Sequence, residues 1–168
     1  MDSDRIPETL HAPGLLLRPW EERDLGALVE AYSEITDEAD GLKWLEERRA
    51  WWEAGTLYTF AVIDTESGQV AGCVVLKRPD PAGDSAEVGY WTAAAVRGRG
   101  IAPRAVGAVA EWAYGSHGLR RLDLFHAVDN APSCRVAEKS GFPFVEILPA
   151  APPWPTEGHL HVSHAPSR

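Results

Sequence analysis

The residues between Glu87 and Ala102 combine a predicted strand, a turn rich in glycine and arginine, and the start of a predicted helix. The turn reads Arg97-Gly98-Arg99-Gly100-Ile101-Ala102. Glycines let the backbone approach an anion closely, and the N–H groups in the first turn of a helix are free to bind it. Arginine adds charge and can fork onto phosphate oxygens. The segment therefore predicts a binding site for a phosphorylated ligand.

Other interpretations of this turn differ in how much they explain. A glycine-rich turn without a ligand is the simplest of them. A dinucleotide-binding turn would need a third glycine where this chain has Pro103, and it would need a βαβ unit with an acidic ribose ligand. A P-loop is excluded because no Gly-Lys-Ser/Thr follows. From these residues alone, a plain turn and an anion site both stay open.

The elements that must position this turn follow from apolar periodicity and from the places of glycine and proline. Helices are predicted over 24–32, 40–54, 102–113 and 130–140, and strands over 14–20, 57–64, 69–77, 86–92, 122–128, 142–148 and, as an edge strand, 160–163. Residues 1–13 are expected to be a loose lead-in, and residues 149–155 a proline-rich loop. The prediction is an α/β fold in one domain over 1–168. It has a mixed, mostly antiparallel sheet of about six to seven strands, with about four helices on both faces.

Bulk composition narrows the class of protein. The 168 residues are 45% hydrophobic and 24% charged, which is typical of a folded globular chain. A net charge of −9 argues against nucleic-acid or anionic-membrane partners and favours cationic ones, amines included. The polar N-terminus and the lack of a long apolar run predict neither a signal peptide nor a membrane span. Cys73 and Cys134 have no metal-ligand spacing and are expected to be reduced thiols. A cytoplasmic protein is expected.

The sequence resembles the GNAT acetyltransferase superfamily. Arg97-x-x-Gly100-x-Ala102 matches the coenzyme A motif of that family, Gln/Arg-x-x-Gly-x-Gly/Ala, at the strand-to-helix position where the family carries it. Further segments resemble the branch that contains the RimJ and RimL ribosomal-protein N-acetyltransferases: Leu17-Arg18-Pro19-Trp20 with Asp24, Phe60-Ala61-Val62, Val70-Ala71-Gly72, Glu87-Val88-Gly89-Tyr90-Trp91, and Asn130-Ala131-Pro132-Ser133 followed by Glu138-Lys139-Ser140-Gly141-Phe142. The resemblance implies the GNAT fold and an N-acetyltransferase that uses acetyl-coenzyme A.

The resemblance also implies a place for each part of the coenzyme. The backbone from Arg97 to Ala102 would hold the pyrophosphate. Trp91, Thr92 and Ala93 would pair with the pantetheine arm, which lies like an added strand between splayed neighbours. Asn130 would also bond the pantetheine.

Two side chains are candidates for proton transfer. Glu87 matches the strand position of the general base in several GNAT enzymes, although an ordinary strand carboxylate facing solvent would look the same in sequence. A backbone N–H near Trp91 can serve as an oxyanion donor. Many relatives protonate the leaving thiolate with a tyrosine, but Ala137 stands at that position here. Ser133 matches a serine of the RimJ/RimL branch and is the candidate acid, with a first-turn capping hydroxyl as the alternative.

Two further groups of residues invite weaker interpretations. His159-x-His161-x-x-His164 could place its first two rings on one strand face. No carboxylate or thiol nearby in sequence completes a ligand set, so a solvated C-terminal segment and no metal are expected. Trp44, Trp51 and Trp52 on the second helix either line an acceptor pocket or pack in the core.

The leading hypothesis is transfer of an acetyl group from acetyl-coenzyme A to a primary amine, by direct attack. The acceptor is a protein α-amine or a small-molecule amine, and the coenzyme half cannot distinguish them. A catalytically silent module that binds acyl-coenzyme A is the alternative from another class. The expected partners are the coenzyme A thioester and the amine, with no nucleic acid and no membrane, and a homodimer stays open.

Overall fold

A computed structural model describes residues 9–152 and 155–167 of the chain. Eight strands form one sheet: β1 (Leu10–Ala12), β2 (Leu15–Pro19), β3 (Leu57–Asp64), β4 (Val70–Lys77), β5 (Ser85–Thr92), β6 (Arg121–Ala127), β7 (Phe144–Leu148) and β8 (Gly158–His164). Four α-helices accompany the sheet in the described residues: α1 (Leu25–Ala31), α2 (Glu38–Glu53), α3 (Ile101–Ser116) and α4 (Ala131–Lys139). Short 3₁₀ turns at Glu22–Asp24 and Ala94–Val96 precede α1 and α3.

The strand order in the sheet is β1-β2-β3-β4-β5-β6-β8-β7. Strands β5 and β6 run parallel, while the other neighbouring pairs of the described sheet run antiparallel. Strands β3 and β4 form a hairpin that turns at Gly68, whose φ of 72° is the left-handed backbone that glycine adopts readily. The predicted mixed α/β architecture is confirmed, and the sheet has more strands than the six to seven expected.

The additional strand lies inside the predicted lead-in, and that part of the prediction is wrong. Strand β1 pairs with β2 through Leu10 opposite Leu17 and Ala12 opposite Leu15. Both Leu10 and Ala12 also pack against the larger hydrophobic core. Three residues are too short to show a period, so the strand exists because tertiary contacts hold it. Residues 1–8 of the lead-in lie outside the described residues.

The C-terminal strand is also placed differently from the prediction. Strand β8 is an interior strand, paired with β6 over seven residues and with β7 on its other side. The prediction that this C-terminal segment is solvated is therefore wrong for most of its length. His161 is completely buried, although His164 is exposed. Local periodicity cannot predict this, because the order of strands in a sheet is decided by tertiary pairing.

Hydrophobic cores lie on both faces of the sheet. On one face, α3 packs its buried residues against the sheet, and the fully buried side chains include Phe60, Val106, Val109, Leu122 and Phe142. On the other face, α1 and α2 cover a smaller core of Trp20, Leu28, Ile35, Trp44, Leu45, Ala61, Ile63 and Cys73. We call these the α3 face and the α1/α2 face. In the part of the chain that is described, no helix has the length and apolar character needed to cross a bilayer.

Candidate active site

Strands β5 and β6 form a parallel pair that opens after three residues. They pair from Ser85 opposite Arg121 to Glu87 opposite Asp123 and then separate. On its other side, β5 stays paired with β4 as far as Thr92, opposite Gly72. The second half of β5 therefore has backbone groups facing the opening, and such groups can pair with an extended ligand as a strand would. The opening lies where the resemblance implies the pantetheine arm, beside Trp91, Thr92 and Ala93.

The glycine and arginine turn lies at the end of β5 and leads into α3. Gly98 and Gly100 have φ angles of 80° and 69°, a backbone region that side chains with a Cβ rarely adopt. A Cβ at either glycine would meet no atom within 4 Å, so the space in front of the turn is open. Helix α3 begins at Ile101, and the N–H groups of Ile101 and Ala102 have no partner within the helix. This geometry suits an anion.

Arg104 supports the turn and was not predicted from the sequence. Its guanidinium donates to the carbonyl oxygens of Arg99 at 3.2 Å and Gly100 at 3.1 Å, and also to the carbonyl of Pro13. Arg97 donates from Nε to the carbonyl of Thr92 at 3.3 Å. Arg104 therefore joins the turn to the segment before β2. A basic side chain four residues after Gly100 was the available signal, since that spacing lets it fold back over the first helical turn.

Asn130 caps helix α4. Its Oδ1 accepts a hydrogen bond from the backbone N–H of Ser133 at 3.2 Å, which satisfies one free donor of the helix start. The side-chain NH₂ of Asn130 takes no part in that bond and can donate to a ligand. The Oδ1 of Asn130 thus caps the helix, and the hydroxyl of Ser133 has a different partner.

The side chains of Tyr90 on β5 and Ser133 on α4 meet at the edge of the opening between β5 and β6. The phenol of Tyr90 donates to the Ser133 hydroxyl with an oxygen–oxygen distance of 2.9 Å. Burial raises the pKa of Tyr90 above its ordinary value, and the hydrogen bond to Ser133 only partly opposes this. The phenol is therefore a neutral O–H donor at physiological pH.

Tyr90 was not predicted from the sequence, because the tyrosine that many relatives carry belongs to α4 and not to β5. Ala137, at the position where many relatives carry that tyrosine, is fully buried in the core of the α3 face. The alternation of β5 was the available signal: Ala86, Val88 and Tyr90 share one face of the strand. That face meets α4 only in the folded sheet.

Glu87 lies on the opposite face of β5 from Tyr90. It is half-buried, and strand alternation puts its side chain on the same face as Trp91. The indole Nε1 of Trp91 donates to the Tyr32 hydroxyl at 2.9 Å, which joins β5 to the α1/α2 face. The structure therefore places Glu87 and Ser133 on different faces of the sheet, with the opening between β5 and β6 separating the elements that carry them.

The tryptophans of α2 are divided between packing and exposure. Trp44 is buried with its ring centroid 5.7 Å from that of Trp20, and Trp52 packs 4.8 Å from Phe60. Trp51 is 41% exposed, and the guanidinium of Arg48 lies 4.6 Å from the centroid of its ring. Core packing thus accounts for Trp44 and Trp52, and Trp51 is the member of the group that an acceptor could reach.

A cavity of about 170 Å³ lies at the carboxyl end of β6. Its lining includes Phe125 and Ala127 of β6, Leu148 at the end of β7, and Glu157 before β8. Ligand cavities for drug-sized molecules start at roughly 300 Å³. This one fits a small group, such as a side chain or a chain terminus.

A mixed sheet whose two parallel strands separate beside a glycine-rich turn at the start of a helix is the arrangement that the resemblance to the GNAT acetyltransferases implies. Comparison with known proteins agrees with the fold. Residues 14–143 match the family model described as acetyltransferase (GNAT) domain, and the chain belongs to this family.

Two curated relatives and one solved structure illustrate the likeness. The chain is 33% identical over 90 residues to YdaF of Bacillus subtilis (strain 168), named as a candidate ribosomal N-acetyltransferase; the match covers 54% of this chain and 45% of that protein. It is 34% identical over 74 residues to the ribosomal-protein-serine acetyltransferase of Escherichia coli (strain K12), covering 44% and 41%. The matches thus span less than half the length of either relative. RimJ of Mycobacterium smegmatis, solved with a coenzyme A disulfide, has a TM-score of 0.80 at 21% identity, covering 95% of this chain and 87% of that one.

Proposed function

We propose that this protein is an N-acetyltransferase that moves the acetyl group of acetyl-coenzyme A to a primary amine. The observation that carries the proposal is the opening between β5 and β6, which has the anion-binding turn at one end and the bonded hydroxyls of Tyr90 and Ser133 at its edge. Membership of the GNAT family supports the same reaction class. A relative of the same fold carries coenzyme A as a disulfide.

The donor would lie along the opening. The turn from Arg97 to Ala102 would receive the pyrophosphate on the free N–H groups of the α3 start, with the arginines adding charge. Backbone groups of Trp91 and Thr92 would pair with the pantetheine amides, whereas the N–H of Ala93 already donates to the carbonyl of Ala71 at 2.8 Å and leaves that residue beside the ligand as a packing contact. The side-chain NH₂ of Asn130, at the start of α4, would also donate a hydrogen bond to the pantetheine. This orientation leads the thioester toward Ser133.

The reaction needs one proton to be removed from the attacking amine and one to be supplied to the leaving thiolate. The amine nitrogen attacks the thioester carbonyl carbon, and Glu87, directly or through water, accepts the proton that the amine loses. A backbone N–H near Trp91 stabilises the oxyanion. When the carbon–sulfur bond breaks, the Ser133 hydroxyl gives a proton to the thiolate and recovers one from Tyr90, whose phenol donates to it. Solvent then takes the proton held by Glu87 and returns one to the Tyr90 phenolate, which restores both groups for the next turnover. The products are an amide and coenzyme A with a free thiol.

The acceptor is proposed as a protein α-amine or a small-molecule amine. The names of both curated relatives refer to ribosomal proteins, which favours a protein terminus. The net charge of −9 favours a cationic acceptor of either kind. Free thiols at Cys73 and Cys134 fit a protein that acts in the cytoplasm.

Release of free thiol from acetyl-coenzyme A tests the proposal directly. The amine panel contains a peptide with a free serine N-terminus, the same peptide with a blocked N-terminus, a polyamine and free amino acids. We expect thiol release above the rate without enzyme for at least one free amine, and none for the blocked peptide. If acetyl-coenzyme A binds in calorimetry but every amine gives only the background rate, the protein is a silent binding module instead.

The role of Glu87 has its own test. Glu87→Gln keeps the size of the side chain and removes the base, so kcat/KM should fall by about a hundredfold or more. The acidic limb of the pH–rate profile should also flatten. A variant that keeps this limb would show that the amine or another group titrates there.

A further inference from the structure

Four potential metal ligands meet between helix α4 and strands β6 and β8. They are His126 of β6, Cys134 of α4, and His159 and His161 of β8. One ligand atom from each side chain lies within 4.8 Å of the others. The imidazole Nε2 atoms of His126 and His161 are 3.0 Å apart, and Cys134 Sγ is 3.7 Å from His161 Nε2.

The hydrogen bonds of the two closest histidines determine where their protons are. Nδ1 of His126 lies 2.7 Å from the carbonyl oxygen of Ala127, and Nδ1 of His161 lies 2.9 Å from that of Phe142. A carbonyl oxygen only accepts, so both Nδ1 atoms carry hydrogen. In the neutral rings, both Nε2 atoms then present lone pairs to each other. This contact is repulsive unless a cation lies between them.

Burial makes an uncompensated contact of this kind costly. His126 is 6% exposed and His161 is completely buried. His159 adds a buried Nδ1 for which the described residues offer no hydrogen-bond partner. The ring of Phe144, 4.8 Å from that of His159, packs against the group on the side of β7. The four potential ligand atoms therefore lie close together where little water reaches them, and two of them repel each other.

We propose that His126, Cys134, His159 and His161 bind one Zn²⁺ ion. Tetrahedral zinc at ordinary bond lengths places nitrogen ligands about 3.3 Å apart, and nitrogen and sulfur ligands about 3.6 Å apart. The observed separations of 3.0 Å and 3.7 Å lie within a few tenths of these values. Imidazole and thiolate are the ligands of structural zinc, and histidine ligands commonly donate their other N–H to a carbonyl, as both rings do here.

Four protein ligands close the coordination shell, so the ion has a structural role. Zinc displaces the proton of the Cys134 thiol and binds the resulting thiolate. Cys134 follows Ser133 directly on α4, while the histidines belong to β6 and β8. The ion therefore anchors α4 to the sheet and holds the Ser133 hydroxyl at its distance from Tyr90.

The metal content of the native protein is the first test. Untagged protein is purified from cells grown with added Zn²⁺ and passed through gel filtration, and its zinc is measured by mass spectrometry. We expect about one zinc per chain. Removal of zinc with a chelator should lower the Tm, and added Zn²⁺ should restore it. This readout needs no variant.

Cobalt substitution identifies the ligands. Co²⁺ added to the metal-free protein should give the visible bands of tetrahedral cobalt and a near-ultraviolet thiolate-to-cobalt band. Cys134→Ser should lose the thiolate band, and His161→Ala should lose stoichiometric binding. His164→Ala is the matched control, because this exposed histidine of the same strand lies outside the group, and it should keep both signals.

Clear results would overturn the proposal. Wild-type protein that retains far less than one zinc after incubation with Zn²⁺, and whose Tm does not respond to the ion, has no such site. The two Nε2 atoms would then share a proton. If zinc binds but Cys134→Ser keeps the near-ultraviolet band, the thiol is not a ligand. Loss of binding in His164→Ala would indicate a surface site.

Discussion

At the residue scale, the proposed protonation of the leaving thiolate depends on the pair of hydroxyls formed by Tyr90 and Ser133. A serine hydroxyl alone is a weak acid. The phenol of Tyr90, 2.9 Å away, can replace the proton as the serine gives its own to sulfur. Both groups would act mainly on the transition state, because the bond to the departing sulfur forms as the thioester breaks.

We therefore predict that Ser133→Ala lowers kcat by at least about tenfold while the affinity for acetyl-coenzyme A changes by less than about threefold. Tyr90→Phe should also lower kcat, and the double variant should be no slower than Ser133→Ala. Tyr114→Phe is the control, because it removes a similar bond, from Tyr114 to Ser163 at 2.7 Å, away from the opening. A fall in affinity with an unchanged kcat would make Ser133 a binding residue.

Gly100 is the residue on which the proposed binding of the coenzyme depends most directly. Its φ is 69°, and a Cβ there would enter the open space in front of the turn. Gly100→Val should weaken acetyl-coenzyme A binding by at least about tenfold, roughly 1.4 kcal/mol, in calorimetry. Gly107→Ala on the same helix is the matched control and should bind normally, since its added Cβ also meets no neighbour. Unchanged affinity in a folded Gly100→Val protein would contradict the site.

At the element scale, a buried ion pair connects β2 to the start of α1. The guanidinium of Arg18 donates to both carboxylate oxygens of Asp24, at 2.7 and 3.0 Å, and the backbone N–H of Glu21 donates to the same carboxylate. Arg18 and Asp24 are 8% and 5% exposed. The pair thereby sets where α1 leaves the sheet, and α1 and α2 cover the aromatic core that Trp91 joins.

Asp24→Asn should lower the free energy of unfolding by about 3 kcal/mol, because it leaves the charge of Arg18 buried without its counter-ion. Denaturant titration measures the change. Glu21→Gln removes a carboxylate that is about half exposed and lies 2.6 Å from Arg23 and 4.0 Å from Arg18, and it should cost less than about 1 kcal/mol. Equal effects of the two substitutions would show that the buried pair contributes nothing beyond an exposed one.

At the scale of the whole molecule, a buried thiol in the core of the α1/α2 face makes the stability of the fold fall at alkaline pH. Burial raises the pKa of the Cys73 thiol from 9.0 to about 12. The folded protein therefore keeps a proton that the unfolded chain loses above pH 9, and stability falls as the pH rises from there toward 12.

By pH 10, this thiol should reduce the free energy of unfolding by about 1.4 kcal/mol relative to neutral pH. Cys73→Ala should lose that part of the pH dependence, although its stability at neutral pH is itself lower because the side chain is smaller. Denaturant titrations of both proteins from neutral pH to pH 10 measure the difference. Parallel curves for the two proteins would show that the thiol titrates alike when folded and unfolded.

Much of the fold was predictable, since strands and helices of ordinary length carry their own period. The prediction for 57–64 coincides with β3, and the helix predicted over 102–113 lies within α3. The short strand β1 was missed because three residues show no period. The tight turn between β5 and α3 was predictable too, since its glycines and arginines are adjacent in sequence, and its binding of coenzyme A stays a prediction. The roles of Glu87, Ser133 and Asn130 stay predictions, as does the single domain over 1–168.

The sequence by itself determined the elements and the glycine and arginine turn between β5 and α3, because both depend on residues close together along the chain. Tertiary structure alone decided what distant elements bring together. Tyr90 reaches Ser133 because β5 and β6 separate and α4 lies beside the opening. His126 and Cys134 join the histidines of β8 because β8 pairs with β6 in the interior of the sheet. Strand order follows from the burial of whole faces, and no local pattern encodes it.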